Sequence, residues 1–331
     1  MTEPVFLVTG AHGFIGAWVV KRLIEGGHNA VLFDQNPQPR RLQLIMETQE
    51  LARATFVAGD ITDPATLPAI IEKHAVDRII HLAALQIPAC RANPTLGAMV
   101  NVVGSINVFE AAAKSGGQVK RVAYASSAAV FGRPVGDRPA AEEDASAPDS
   151  LYGAFKRCNE ENARVYFLEK GIPSIGLRPH TVYGVGRDFG MTSDPTKAMK
   201  AVVAGRPFRI RFSGSVDFQY AADTADAFIR CANTDLGGAH VFNLHGETVA
   251  IQDVVAQIES CAREILGGSA NPQVTIDGKP NTAPSRMDDT AIRRALGDLP
   301  VTSLKDGVRA TIARFAELSL RGPLDLSDLD V

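Results

Sequence analysis

The sequence predicts an α/β protein in which a doubly wound parallel sheet is followed by a smaller, mixed C-terminal lobe. Short, nearly all-apolar runs alternate with longer helical patterns through about the first half of the chain, as strands buried on both faces of a parallel sheet require. The glycine pairs Gly26-Gly27 and Gly116-Gly117 end two of the helical patterns. Strands that alternate with helices form βαβ units with right-handed crossovers, so a doubly wound sheet follows.

The elements follow in a regular order up to about Pro179. Strands are predicted over 5–8, 30–33, 55–57, 78–82, 121–124 and 174–177, and helices over 14–25, 40–53, 64–74, 94–115 and 152–170. Beyond Pro179, glycine and proline become frequent and the apolar runs are short and isolated. We therefore divide the chain into a sheet domain, residues 1–179, and a lobe, residues 180–331, from which some segments return to the sheet domain.

The composition excludes several classes of protein. The 331 residues include 34 Lys+Arg and 37 Asp+Glu, which gives a net charge of −3, and 45% are hydrophobic, as in an ordinary globular chain. A near-neutral balance argues against nucleic-acid or anionic-membrane partners, and no apolar run approaches the roughly 20 residues that span a bilayer. Four scattered cysteines and the lack of an export leader favour the reducing cytoplasm and no metal site.

A glycine-rich turn lies between the first predicted strand and the first helix. Gly10, Gly13 and Gly16 have the Gly-x-x-Gly-x-x-Gly spacing. The first glycine permits a tight turn, the second lets the backbone approach a pyrophosphate, and the third lets the helix pack closely on the strand. The helix N-terminus then offers N–H groups to the anion. This context predicts a Rossmann dinucleotide-binding turn, with an ordinary structural turn as the alternative.

Two carboxylates follow the next strands. Asp34 ends the second strand, about 20 residues after the turn, where a carboxylate accepts hydrogen bonds from the adenosine ribose and repels a 2′-phosphate. The sequence therefore favours NAD over NADP, although Arg40 or Arg41 could fold back to a phosphate. Asp60, after the third strand, can reach the adenine amino group. A helix or turn cap is the alternative for each carboxylate.

Tyr152 and Lys156 are spaced to share one face of a helix, one turn apart. A free tyrosine has a pKa near ~10, and an ammonium together with the positive ring of oxidised nicotinamide favours the phenolate. The sequence therefore predicts Tyr152 as a base whose pKa Lys156 lowers. Ser126 and Ser127 end the fifth strand, where a hydroxyl can hydrogen-bond a substrate alcohol as it becomes a carbonyl. An amphipathic helix and a turn cap are the alternatives.

These motifs, in this order, resemble those of the extended short-chain dehydrogenases/reductases, the branch that contains NAD-dependent sugar epimerases and dehydratases. The resemblance covers nearly the whole chain and includes 81–84, Asn101, 126–127, 178–179 and 182–184. It implies that Ser127 orients the substrate hydroxyl, that Tyr152 removes its proton and that Lys156 holds the nicotinamide ribose. It also implies a homodimer in which the helices near 94–115 and 152–170 form a four-helix bundle.

Motifs and resemblance together give the predicted NAD-binding residues. They are Gly10, His12, Gly13, Phe14, Ile15, Gly16, Asp34, Asp60, Ile61, Leu82, Ala83, Ala84, Asn101, Tyr152, Lys156 and Pro179.

Departures from the family pattern reduce the number of reactions that the chain could catalyse. Dehydratases of this branch carry an acidic residue just after the strand-end serine or threonine, whereas this chain has Ala128 and Ala129, which cannot act as general acids. We therefore expect an epimerase that works through a transient keto intermediate. A net NAD-dependent dehydrogenase of a sugar, a sugar acid or another secondary alcohol is the alternative. A non-catalytic dinucleotide sensor is a remote third hypothesis, because such sensors usually lose the Tyr or the Lys.

The substrate lobe departs from the pattern as well. Val216 stands where many epimerases have an arginine that grips the substrate diphosphate, which favours a polyhydroxylated sugar or sugar acid and leaves a nucleotide sugar open. A bidentate arginine binds a carboxylate as well as a phosphate, with a solvated surface charge as the alternative. The lobe's candidates are Arg187, Arg206, Arg209, Arg211 and Arg286. The candidate substrate contacts are Gln86, Arg91, Ser127, His180 and Arg187.

Overall fold

The computed structural model of the protein describes residues 3–133, 138–144, 146–267, 273–281 and 283–329. The strands are β1 Val5–Thr9, β2 Asn29–Asp34, β3 Thr55–Ala58, β4 Arg78–His81, β5 Arg121–Ala125, β6 Ser174–Arg178, β7 Thr181–Tyr183, β8 Phe208–Ile210, β9 Ser215–Tyr220, β10 Ala239–Asn243, β11 Glu247–Ala250 and β12 Val274–Ile276. The α-helices are α1 Phe14–Glu25, α2 Arg40–Ile45, α3 Thr48–Leu51, α4 Thr66–His74, α5 Ile87–Ala92, α6 Pro94–Ala98, α7 Gly104–Lys114, α8 Leu151–Lys170, α9 Asp194–Val203, α10 Ala221–Ala232, α11 Ile251–Leu266, α12 Thr290–Leu296 and α13 Leu304–Arg321. A π-helical segment, Met99–Val103, joins α6 to α7, and a 3₁₀ turn, Ala128–Val130, follows β5.

The main sheet has seven strands in the order β10-β6-β5-β4-β1-β2-β3. Every neighbouring pair in it is parallel. The chain order of the strands reverses between β1 and β4, and ligands bind outside the carboxyl ends of the strands at such a switch point. The predicted fold class, a doubly wound parallel sheet with a smaller mixed lobe, is confirmed.

The apolar strands are explained by helices on both faces of the sheet. On β1, Phe6 and Val8 belong to the core beneath α1 and α10, whereas Leu7 belongs to the core beneath α4 and α7. All three side chains are fully buried. Because successive side chains of a strand point to opposite faces, a strand covered on both sides needs an apolar residue at every position.

The lobe begins where the chain leaves β6. In a three-stranded sheet, β9 lies between β7 and β11, parallel to the first and antiparallel to the second. A two-stranded sheet pairs β8 with β12. β10 returns to the main sheet and extends it beyond β6. The division of the chain after residue 179 stays a prediction.

Two predicted helices differ from those in the structure. The helix predicted over 40–53 is interrupted at Met46, whose backbone is extended (φ −126°, ψ 149°), and Glu47 starts α3 in a reciprocal capping box with Glu50. The helix predicted over 94–115 contains the π-helical segment. Contrary to the expectation from apolar runs, the helical stretch Pro94–Lys114 is long and apolar enough to cross a membrane. Half of its most apolar 18-residue stretch is buried in the protein. The core helices of globular proteins can have the same length and apolar composition.

Candidate active site

A continuous cleft runs along the carboxyl ends of the main sheet. It has two parts that share Gly10, Gly13, Leu82 and Ala84. The inner part, between the sheet and the lobe, is lined by these predicted residues among others: Gly10, Gly13, Phe14, Ile15, Gly16, Leu82, Ala84, Gln86, Ser127, Tyr152, Lys156, Pro179, His180 and Arg187. The outer part, beside β2 and β3, is lined by these: Gly10, His12, Gly13, Asp34, Asp60, Ile61, Leu82, Ala83 and Ala84.

The glycine turn forms a cradle that side chains would fill. Gly10 has a left-handed backbone (φ +70°), and a Cβ atom there would lie 2.6 Å from the Ala83 nitrogen. A Cβ atom on Gly16 would lie 2.1 Å from the Gly10 carbonyl oxygen. α1 begins after Gly13 without a side-chain cap, so no side chain occupies the N–H groups of its first turn. The residues present therefore fit the pyrophosphate of a dinucleotide.

The outer part of the cleft has the features of a site for adenosine. The Asp34 carboxylate accepts hydrogen bonds from the backbone N–H groups of His12 (3.0 Å) and Asn36 (2.9 Å), one on each oxygen. Since each carboxylate oxygen has two acceptor positions, Asp34 can still accept from ribose hydroxyls. The His12 ring stacks on Phe56 with ring centroids 4.6 Å apart. Asp60 accepts from Thr62, so the turn-capping alternative holds for Asp60 without removing it from the cleft.

Both arginines after β2 have carboxylate partners, and Arg41 also lines the outer part of the cleft. Arg40 forms an exposed ion pair with Asp325. Arg41 binds Asp188 with its Nη2 atom 2.7 Å from Oδ1, and its Nη1 atom donates to the His12 carbonyl oxygen (3.1 Å). Both side chains have carboxylate partners, which agrees with the predicted preference for NAD.

Asn101 lies behind the cleft and not in its lining. Its side-chain amide accepts from the Leu85 N–H (2.7 Å) and donates to the Leu85 carbonyl oxygen (2.9 Å). Its own backbone carbonyl oxygen accepts from Asn159 (2.7 Å) and Ser105 (2.8 Å). In the structure Asn101 therefore holds the segment after β4 in place, and a direct contact with NAD stays a prediction.

The catalytic candidates meet at the inner end of the cleft because α8 begins beside the end of β5. Ser150 caps α8 by accepting from the Gly153 N–H (3.2 Å), which fixes the first turn that carries Tyr152. Lys156 is buried, and its ammonium donates to the Ala125 carbonyl oxygen (2.7 Å). Ser127 hydrogen-bonds Tyr152.

Burial and neighbouring groups act in opposite directions on the pKa of Tyr152. Burial raises the pKa of Tyr152 above its usual value, while the hydrogen bond from Ser127 and the charge of Arg187 lower it. Lys156 lies 5.6 Å from the centroid of the Tyr152 ring. Burial also lowers the pKa of Lys156 to about 8. The expectation that Lys156 lowers the pKa of Tyr152 stays a prediction.

A buried polar network behind the predicted catalytic serine, Ser127, was not predicted from the sequence. The Ser126 hydroxyl donates to Glu160 (2.5 Å), and Glu160 forms a two-point ion pair with Arg178, with both N–O distances at 2.8 Å. Both charged side chains are 2% exposed. Burial raises the pKa of Glu160, but the hydrogen bonds and the charge of Arg178 outweigh it and lower the pKa overall. This network fixes the ends of β5 and β6 against α8.

The lobe contributes one predicted arginine to the cleft lining, Arg187. Arg209 pairs with Asp277 on the surface, and Arg211 pairs with the buried Asp194. Val216 is fully buried in the core and offers nothing to a substrate.

The remaining substrate candidates are divided between the cleft and the surface. Gln86 and His180 line the cleft, whereas Arg91 is exposed outside it. Three further lining residues, Met191, Thr192 and Asn281, lie in loops of the lobe where the sequence shows no motif.

The fold and the site define a class, the dinucleotide-dependent enzymes of the short-chain dehydrogenase/reductase type, with a Tyr–Lys pair and a strand-end serine at the inner end of the cofactor cleft. The model of the NAD dependent epimerase/dehydratase family matches residues 6–244. The chain belongs to this family, which confirms the resemblance seen in the sequence, and it is an NAD-dependent enzyme.

The relatives of known sequence cover almost the entire chain. A UDP-glucose 4-epimerase of Mycolicibacterium smegmatis is 31% identical over 319 residues, which are 95% of this chain and 99% of the relative. UDP-glucuronate 4-epimerase 3 of Arabidopsis thaliana is 30% identical over 92% of this chain and 74% of its own length. A dTDP-glucose 4,6-dehydratase of Neisseria meningitidis is 26% identical over 94% of this chain and 93% of its own.

Solved structures show the same fold. MoeE5 in complex with UDP-glucose and NAD is 28% identical, with a TM-score of 0.77 over 95% of this chain and 99% of its own. The UDP-glucose 4-epimerase of Thermotoga maritima, solved with UDP-glucose, has a TM-score of 0.81 over 95% of this chain and 99% of its own at 24% identity.

Proposed function

We propose that this protein is an NAD-dependent epimerase that inverts a secondary alcohol carbon of a sugar or sugar derivative through a transient keto intermediate. The observation that carries the proposal is the meeting of Ser127, Tyr152 and Lys156 at the inner end of the cleft, beside Ala128 and Ala129, which offer no acid. The relatives from Mycolicibacterium smegmatis and Arabidopsis thaliana, both 4-epimerases by name, support it.

The chain's own residues would divide the work as follows. Ser127 donates a hydrogen bond to the substrate oxygen and so orients the hydroxyl toward the Tyr152 oxygen. Tyr152 removes the hydroxyl proton as the carbon loses hydride, and it returns the proton when hydride comes back to the other face. Lys156, anchored on the Ala125 carbonyl oxygen, is placed to hold the nicotinamide ribose. The chemistry supplied by bound NAD is reversible hydride acceptance.

Dehydration is not part of the proposed reaction. Loss of a sugar hydroxyl needs a group that protonates it, and the methyl side chains of Ala128 and Ala129 cannot. The reaction named for the relative from Neisseria meningitidis is therefore not proposed for this chain.

A net dehydrogenase is the second candidate, and Val216 favours it. Val216 is apolar and fully buried, so this position offers no charge to a substrate diphosphate. A free sugar, a sugar acid or another small secondary alcohol is then the better substrate, and its oxidation product would leave with NADH as a second product. The relatives named for nucleotide sugars keep that substrate class within the proposal.

The discriminating experiment measures NADH absorbance and analyses products while the purified protein and NAD meet a panel of free sugars, aldonic acids, uronic acids and UDP-sugars. A changed sugar without net NADH supports the epimerase. Growth of NADH in proportion to product supports the dehydrogenase and overturns the epimerase. No conversion of any compound, with NAD still bound, overturns both for these substrates and favours the sensor hypothesis.

We also propose a homodimer, as the resemblance implies. The two helical segments that would form the bundle expose large apolar side chains: Leu96 (48%), Met99 (41%), Leu151 (45%), Val165 (39%) and Leu168 (67%). Replacing Leu168 with Glu is expected to shift the mass measured by light scattering from dimer to monomer. An unchanged mass for wild type and variant at the monomer value contradicts the proposal.

The remaining proposals concern the location of the protein, its partners, its domains and its ligand contacts. We propose a cytoplasmic location, supported by four cysteines that are all free thiols, and no nucleic-acid or membrane partner, supported by the near-neutral charge. We propose residues 1–179 as the NAD-binding domain and 180–331 mainly as the substrate-binding lobe. The predicted NAD contacts and the substrate contacts Gln86, Ser127, His180 and Arg187 are part of this proposal, supported by their positions in or, for Asn101, behind the cleft.

A further inference from the structure

Arg41 lies beside the carboxylate that the sequence predicts as the ribose contact. Both side chains hydrogen-bond the backbone of the same residue, His12. The Asp34 carboxylate accepts from its N–H (3.0 Å), and the Arg41 Nη1 atom donates to its carbonyl oxygen (3.1 Å). Both side chains also line the outer part of the cleft. A guanidinium in this place is suited to the 2′-phosphate of NADP, because arginine binds a phosphate through two parallel hydrogen bonds.

A carboxylate of the lobe occupies this guanidinium. The Arg41 Nη2 atom lies 2.7 Å from Oδ1 of Asp188, and its Nε atom lies 3.0 Å from Oδ2. This two-point contact is the one that a phosphate would otherwise make. The two side chains are only partly exposed, 30% for Arg41 and 35% for Asp188. Within the described part of the chain, Asp188 does not line either part of the cleft.

The loop that carries Asp188 packs against the cofactor side of the protein. Gly186 has a left-handed backbone (φ +95°), and a Cβ atom there would lie 3.6 Å from the Arg41 Cβ atom. The Asp188 N–H donates to the Gly186 carbonyl oxygen (3.1 Å). The guanidinium of the neighbouring Arg187 lies 5.6 Å from the centroid of the Phe14 ring, at the start of α1. The loop therefore presents the Asp188 carboxylate to Arg41 from a packed position.

We propose that Asp188 of the lobe helps to determine the choice of cofactor, because it binds Arg41 and so keeps this guanidinium from the 2′-phosphate of NADP. NAD has a hydroxyl at that position and is accepted, whereas NADP meets the Asp34 carboxylate with no counter-charge from Arg41. Asp188 is a positioning residue that acts through Arg41. Selection against NADP then has a second source, 147 residues from Arg41 in the sequence. The inference concerns cofactor binding and does not depend on the proposed reaction.

The test compares two ligands that differ only in the phosphate group on the ribose. Calorimetry measures the affinity of the full chain, freed of any nucleotide carried through purification, for adenosine 5′-monophosphate and for adenosine 2′,5′-bisphosphate. The ratio of the two dissociation constants reports how the protein receives the 2′-phosphate, and it requires no substrate and no turnover. NAD and NADP form a second pair of ligands with the same single difference.

Asp188→Ala is expected to improve the affinity for the bisphosphate roughly tenfold or more, as one hydrogen bond to a charged group would, and to leave the affinity for the monophosphate within about twofold. Asp188→Asn keeps one acceptor oxygen for Arg41 and should give a smaller gain. The double variant Asp188→Ala/Arg41→Met should lose the gain. The matched control, Asp325→Ala, removes the same charge from the neighbouring Arg40, which is 74% exposed and lines neither part of the cleft as described. Its ratio should equal that of the wild type.

Repulsion by Asp34 opposes the bisphosphate in all of these proteins, so the comparison is repeated with Asp34→Asn as the background, where Asp188→Ala should give at least the same gain. A ratio that Asp188→Ala leaves unchanged in both backgrounds overturns the inference. So does a gain that persists in Asp188→Ala/Arg41→Met, since another group would then hold the phosphate. Equal losses of affinity for both ligands would make the pair a structural link between the loop and the glycine turn, and would overturn the inference as well.

Discussion

Replacing Glu160 with Gln should destabilise the protein far more than an ordinary substitution. Glu160 and Arg178 are each 2% exposed, and Gln keeps the size of Glu160 while leaving the Arg178 charge without its partner. Removing one partner of a buried ion pair destabilises by about 3–5 kcal/mol, because the remaining charge is buried without compensation. We expect a loss in this range, measured as the free energy of unfolding in urea with the m-value unchanged.

The chain supplies a matched control for this prediction. Arg157 binds the same carboxylate (2.9 Å) but is 40% exposed, and exposed ion pairs contribute about 0–1 kcal/mol. Arg157→Ala should therefore lower the free energy of unfolding by less than about 1 kcal/mol. The double variant Glu160→Met/Arg178→Met removes both charges and should recover most of the loss. The Ser126 hydroxyl then lacks its acceptor, which leaves a residual loss of about 1 kcal/mol.

The pH dependence gives a second readout of the same pair. Because folding lowers the pKa of Glu160 overall, its contribution is fully present above the pKa of an unfolded glutamate, about 4.3. That contribution is lost as the pH falls through the lower pKa of the folded state. Between pH 5 and strongly acidic pH, Glu160→Gln should therefore lose less stability than the wild type does. A loss below about 1 kcal/mol at neutral pH, equal to that of Arg157→Ala, would refute the reasoning.

Two further predictions concern the cleft. Tyr152→Phe should lower turnover by roughly 10²–10⁴-fold and leave NAD affinity almost unchanged, as titration calorimetry would show. The control variant Tyr166→Phe, on the same helix but outside the cleft, should keep its activity. A Tyr152→Phe enzyme with near-wild-type turnover would contradict the assigned base. Gly10→Ala should weaken NAD binding roughly tenfold or more, because its Cβ atom would lie 2.6 Å from the Ala83 nitrogen. Gly27→Ala, also left-handed but with no atom within 4 Å of its Cβ, should bind NAD normally; equal affinities in the two variants would count against the cradle.

Local patterns predicted the parts of the structure that local physics determines. The glycine turn was identified because Gly10, Gly13 and Gly16 each meet a backbone requirement, and the strands because both faces of the sheet are covered. Asp34 was placed correctly because a strand that ends beside the turn brings its last residue to the same edge of the sheet. Each of these signals lies within one element or at the junction of two.

The features that were missed depend on packing between distant elements. Ser126, Glu160 and Arg178 belong to β5, α8 and β6, and no spacing in the sequence shows that they share one buried network. Met46 interrupts a helix without a glycine or proline beside it, and its burial (4% exposed) indicates that tertiary packing overrides helix propensity there. Asn101 matched a family position, but only its partners show that its amide is occupied by the backbone of Leu85.

The connection from Arg41 to Asp188 joins the cofactor side of the cleft to the catalytic side. Arg41 touches the glycine turn through the His12 carbonyl oxygen and the lobe through Asp188, whose neighbour Arg187 lines the inner part of the cleft. One side chain therefore holds the glycine turn and the loop of a predicted substrate contact together.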